Sequence, residues 1–208
     1  MSASVDPFLP LSLLDAVRAV DVPSEDFDTE LVHELRNKRF GLSDTVLAQV
    51  RRYQEAVRRN QRPSVEEARA LATLIGRRPD AEAVFREAGR ILARHAYSRI
   101  SPLTRGFMRN SPALLARPIA LRHVRRVSLR YFAGRIRRVG SSILLEVREP
   151  VTLDTAPRQV GCTYYEAALR ELMQLLVGGV GSVEHVRCAG RKEATCEWRA
   201  EWRPIGSR

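Results

Sequence analysis

Cys162, Cys188 and Cys196 are the three cysteines of the chain, all in its final quarter, and His185 stands three residues before the second of them. The spacing is C-x25-C-x7-C with H-x2-C inside it. Tetrahedral zinc takes four thiolate or imidazole ligands, and a Cys3His set is a common closed structural site. Cys162 immediately precedes a helical pattern, where the positive end of the helix dipole favours its thiolate. Cys188 and Cys196 flank the connection AGRKEAT, a hairpin-like turn able to bring them together. His185 and Cys188 have opposite parity on an extended strand, so they converge only if the strand bends or ends near Arg187. A free cysteine is also a small hydrophobe. Type and spacing therefore leave two readings open, a zinc site or three buried structural thiols. Three cysteines are too few for a disulfide framework.

The elements that must position these residues are legible in part. Thr163 with Glu166 three later reads as a capping box, and Ala168, Leu169, Leu172, Leu175 and Leu176 stripe the helix it opens, which stops at Gly178-Gly179. Two strands then follow. In the second, Cys196, Trp198, Ala200 and Trp202 alternate with Thr195, Glu197, Arg199 and Glu201, which predicts one buried and one wet face. Further upstream, alternation at Val127, Leu129 and Tyr131 predicts a strand over 127–133, with a partner over Ser142 to Glu149 after the turn Gly140-Ser141. Residues Pro79 to Arg99 read as a long helix with Val84, Ala88, Ile91, Leu92 and His95 on one face. Ser101 to Leu115 is broken by Pro102, Gly106 and Pro112 and reads as short helices and turns.

Before Pro79, helical patterns are expected near 11–20, near 28–38, from Gly41-Leu42-Ser43 to about Asn60, and from a capping box at Ser64 and Glu67 to Gly76. The first two look like an arm. The expected fold class is α+β, an antiparallel sheet packed with helices. The expected division is a helical N-terminal extension over 1–78 and a ligand-binding unit over 79–204.

The chain has 208 residues and a net charge of +11, and 33 of its 35 basic residues are arginine. The basic excess is concentrated between residues 41 and 150, a region able to attract nucleic acid, anionic lipid or an acidic partner protein. No apolar run reaches the length of a membrane span. The stretch FLPLSLLDAV is short, follows Asp6 and lacks a basic leader, so it is not read as a secretory signal. A cytoplasmic location is the expectation. No G-x-S-x-G, P-loop, H-E-x-x-H or G-x-G-x-x-G occurs, so the residues point away from an enzyme.

The run GCTYYEAALRELMQLLVGGVGSVEHVRCAGRKEATCEWRAEW resembles the C-terminal part of the 4-vinyl-reductase (hydrocarbon-binding) domain. Its pattern there is helix, glycine-bearing turn, strand ending in cysteine, second turn, and a cysteine opening an aromatic strand. That domain occurs in a bacteriochlorophyll-synthesis protein and in the sensory part of phenol-responsive activators. FREAGRILARHAYSRI is similar to the family's helix carrying a glycine and small residues. The resemblance implies a structural zinc ion held by Cys162, Cys188 and Cys196, with His185 at the position of the phenol sensors' glutamate. It also implies a homodimer and a cavity for a small hydrophobic ligand, a tetrapyrrole being one version. The candidate ligand-binding residues are His95, Tyr97, Phe107, Tyr165, Leu169 and Trp198. The second functional reading is an interaction module, its arginines contacting nucleic acid or an acidic partner.

Overall fold

A helix that is apolar over most of its surface has to be largely surrounded, and FLPLSLLDAVRAV, polar only at Ser12, Asp15 and Arg18, is such a helix. In the computed structural model, which describes residues 3–21, 44–153, 155, 160–178 and 182–201, this segment is α1, Phe8–Val20. Nine of its 13 residues are buried. It packs along α4, Ala81–Ser98, whose other side is packed on α7, Thr163–Val177. The helices between are α2, Asp44–Arg59, α3, Val65–Gly76, α5, Pro102–Asn110, and α6, Ala113–Tyr131. The candidate helix near 28–38 lies outside the described residues.

Among the described residues there are four strands, β1, Arg135–Val139, β2, Ser142–Val147, β3, Val183–Arg187, and β4, Cys196–Glu201. They form one antiparallel sheet in the order β1-β2-β4-β3. Helices and antiparallel sheet together make the protein α+β. Ile143, Leu145, Val147, Cys196, Trp198 and Ala200 are all 0–1% exposed, and α7 covers β3 and β4. The wet face is less wet than alternation implies, because Glu197 is also buried and lies 3.5 Å from both Arg137 and Arg187. No helix among the described residues is long and apolar enough to cross a membrane.

Three expectations about local structure change. Residues 127–131 are helical, forming the end of α6, and the first strand begins at Arg135. The buried positions there are Val124, Val127, Ser128 and Tyr131, a helical spacing, while Leu129 is 64% exposed. The box at Thr163 does not form either: Cys162 is the N-cap, and the Thr163 hydroxyl turns back to donate to the Val160 carbonyl at 2.7 Å. By contrast the Ser64 cap is as expected, its hydroxyl accepting from the Glu67 N–H at 3.1 Å.

The third change concerns the arm. One hydrophobic core runs from Leu9, Leu13 and Val17 through Phe85, Ala88 and Leu92 to Leu169, Leu172 and Trp198. The hydroxyls of Ser12 and Tyr164 lie 3.4 Å apart and tie α1 to the first turn of α7. So α1 is an inner helix. Leu13, 0% exposed, tests this. Leu13→Ala is expected to cost about 2–5 kcal/mol in chemical denaturation, as for other buried leucines, whereas a peripheral arm would leave the midpoint unmoved.

Candidate metal centre

The Cys162, His185, Cys188 and Cys196 donor atoms all lie within 4.8 Å of one another, and the three thiols are buried. These four could hold a metal ion. Each reaches the cluster for a separate local reason. Cys162 ends a 3-10 turn, Val160–Cys162, and caps α7, so its side chain sits at the positive end of a helix dipole. Its approach is fixed by a hydroxyl and backbone knot: Thr152 Oγ1 donates to the Gly161 carbonyl at 2.6 Å, and the Gly161 N–H donates to Thr155 Oγ1 at 2.9 Å. A side chain at Gly161 would meet the Thr152 carbonyl at 2.4 Å, so glycine is required there.

His185 and Cys188 meet because β3 is irregular where parity requires it. His185 pairs with Trp198 and Arg187 with Glu197, so one extra residue, Val186, is accommodated between them. A bulge of this kind shifts the following side chain to the other face. Cys188 follows with extended backbone and leads into the 3-10 turn Ala189–Arg191, closed by Lys192 in the left-handed region at φ 68°. The turn aims its amides at the cluster. The Ala189 N–H donates to Cys196 Sγ at 3.2 Å, and the Cys188 N–H is held by the Glu193 carboxylate. Cys196 opens β4, the strand paired on both sides by β2 and β3.

The imidazole is clamped by stacking. His185 lies on Trp198 with ring centroids 4.7 Å apart and planes 9° apart, and Tyr165 stacks on the indole at 4.9 Å. The Tyr165 hydroxyl in turn accepts from the Val151 N–H at 3.0 Å. Neither Glu193 nor this three-ring stack was singled out as part of the site from sequence. From sequence, Tyr165 is a candidate ligand contact and Trp198 is both that and a residue of the buried strand face, while nothing in the spacing of Glu193 marks it.

Electrostatically the thiols are not equivalent. The hydrogen bond from Cys162, helped by His185 and the Ala189 N–H, pulls Cys196 down to about 4. The same bond, with burial behind it, pushes Cys162 far up, and burial above all raises Cys188. One thiolate is thus prepared and the other two need a cation to lose their protons. The His185 Nε2 is buried without a hydrogen-bond partner, a costly state in a protein interior. A zinc–sulfur bond of about 2.3 Å sets tetrahedral sulfurs about 3.8 Å apart, a spacing that falls inside the 4.8 Å span of the donor atoms. The donor set fits a closed, four-coordinate ion.

Compared with family models and with curated proteins, the chain matches none.

Of the six other sequence candidates only Tyr165 and Trp198 are in ring contact with each other. Tyr165, Leu169 and Trp198 are 0–1% exposed and belong to the core. Tyr97 is half-buried under the Arg105 guanidinium, 5.3 Å from its ring, and Phe107 is exposed on α5. His95 stacks on Phe8 at 3.5 Å and borders an open concavity of about 460 Å³ with Arg58, Arg99 and Arg130. Burial, followed by Arg99, lowers its pKa.

Proposed function

We propose that this protein is a non-catalytic binding module of the 4-vinyl-reductase type, clamped by structural zinc and built to hold a small apolar ligand. The observation that carries the reading is the convergence of three thiols and one imidazole from α7, β3 and β4. With four protein donors a tetrahedral ion has no place left for an activated water, so the clamp serves architecture. Cys162, His185, Cys188 and Cys196 would hold the ion. The site resides on the helix and strands that wall the inner face of the sheet.

The ligand part of the reading is supported by Trp198. Its Nε1–H is buried without a partner, on an indole that stacks with both Tyr165 and His185. A mostly apolar site with one directed polar group is how small-molecule sites orient their guests. A hydrophobic molecule that offers a hydrogen-bond acceptor, a tetrapyrrole among them, would satisfy that donor.

Native mass spectrometry of the untagged chain, purified without chelator, tests both parts. One zinc per chain and a retained organic mass are expected. His185→Glu is expected to keep the zinc, since carboxylate is also a zinc ligand, and His185→Ala to lower occupancy. A folded parent chain carrying neither metal nor organic mass would overturn the proposal.

A further inference from the structure

From Ala88 to Leu145 the chain has no aspartate or glutamate and thirteen arginines. This stretch supplies the second half of α4, all of α5 and α6, and β1. The element with the most of these arginines, five, is α6, a helix about 28 Å long at 1.5 Å per residue. The inner side of α6 is Ala116, Ala120, Val124, Val127 and Tyr131, all buried. At 3.6 residues per turn, Leu115, Pro118, Arg122, Arg125, Arg126 and Leu129 fall within an outer arc of roughly 100°, and all six are exposed. Among the described residues, no carboxylate pairs with Arg122, Arg125 or Arg126. His123 beside them has its pKa lowered by burial and then by Arg126 and Arg122, as a locally uncompensated positive field requires.

Two features mark the surface at once. Leu115 is 57% and Leu129 64% exposed, one near each end of the arginine row, and α5 next to it exposes Leu103 at 87% and Phe107 at 47%. Large aliphatic side chains do nothing for phosphate contacts along a nucleic acid, which favours aromatic stacking instead. An anionic bilayer surface uses both kinds of group: guanidinium groups pair with lipid phosphates, and leucine and phenylalanine enter the boundary between headgroups and acyl chains. Arginine stems also lie readily along apolar surface while the charge stays in the headgroups.

We propose that the outer face of α6, with the exposed end of α5, docks the protein on anionic phospholipid bilayers, lying on the surface without crossing it. The role is independent of the metal clamp.

Co-sedimentation of the full chain with vesicles tests it, using phosphatidylcholine alone and phosphatidylcholine with one-third phosphatidylglycerol, and with duplex DNA in a parallel arm. Binding is expected only to the anionic vesicles, weakening as salt shortens the screening length from about 10 Å at 0.1 M to about 3 Å at 1 M. Replacing Arg122, Arg125 and Arg126 together by glutamine is expected to lower partitioning on the order of 100-fold. Leu129→Ser is expected to lower it without altering the salt dependence. These positions are exposed, so thermal melting of each variant should match the parent. The parent's dependence on vesicle charge stands apart from any variant. Equal sedimentation with neutral vesicles, no sedimentation with either, or binding to DNA but not to vesicles would each overturn the proposal.

Discussion

Cys196→Ser is expected to lose the proposed zinc ion and to melt roughly 8–16 °C below the parent chain. The size follows from linkage: a native-state ligand present at a thousand times its dissociation constant contributes about 4 kcal/mol. For a chain of this length each kcal/mol moves the midpoint by about 2–4 °C. Cys196 is the most damaging ligand to change because it is 0% exposed on a doubly paired strand and is the thiol already held near 4. A serine hydroxyl keeps its proton at neutral pH and offers zinc no thiolate charge. Metal content and differential scanning fluorimetry read the two effects. In excess chelator parent and variant should converge, since only the small packing difference between sulfur and oxygen then separates them. A parent chain whose midpoint is indifferent to chelator would refute the clamp. Acid should mimic the chelator, because the cysteine ligands must be deprotonated to hold the ion.

Gly89→Ala is expected to destabilise the protein by about 2 kcal/mol or more, against what helix propensity alone dictates. Replacing a mid-helix glycine by alanine usually gains about 1 kcal/mol. Here the added methyl would lie 2.3 Å from the Tyr164 carbonyl oxygen and 2.9 Å from the Ala168 nitrogen, both backbone atoms of α7. Neither can swing aside, so α4 and α7 would have to separate along their contact, and overpacking of this kind costs about 1–3 kcal/mol and occasionally more. The displaced α7 carries Cys162 at its cap, so zinc affinity should fall with stability. Gly106 in α5 is the control. A side chain there meets nothing within 4 Å, and Gly106→Ala should be neutral or stabilising by up to about 1 kcal/mol in chemical denaturation.

The metal cluster was legible because its chemistry depends on rare residue types, and four of them at suitable spacing stand out in any sequence. Its closure was not, since parity sets His185 and Cys188 on opposite faces until Val186 is taken up by an irregular pairing that leaves no compositional mark. The end of α6 was misread because Val127, Leu129 and Tyr131 alternate over too few residues to separate period two from period 3.6. The longer run from Ala116 to Tyr131 carries the helical spacing clearly. The inner position of α1 did have a signal, a segment whose only polar residues are Ser12, Asp15 and Arg18, but the acidic and proline-bearing stretch after it made it look peripheral. Thr163 looked like a cap because hydroxyl caps outnumber thiol ones, and the 3-10 turn at Val160 shifted the helix start by one residue. The aliphatic stripe on α7 was read correctly and packs as expected: Leu169, Leu172 and Leu176 are 1–2% exposed.

The order β1-β2-β4-β3 also sets a sequence of events. β4 is the last of the four strands along the chain and an inner one in the sheet, so β2 and β3 have no common partner until it arrives. Until then the β1–β2 hairpin presents an open edge, and β3 has nothing to pair with. Nonlocal pairings of this kind are the slow ones in folding. Cys196 enters with β4, so the last of the four candidate ligands along the chain joins the others only when the strand that fills the gap is in place.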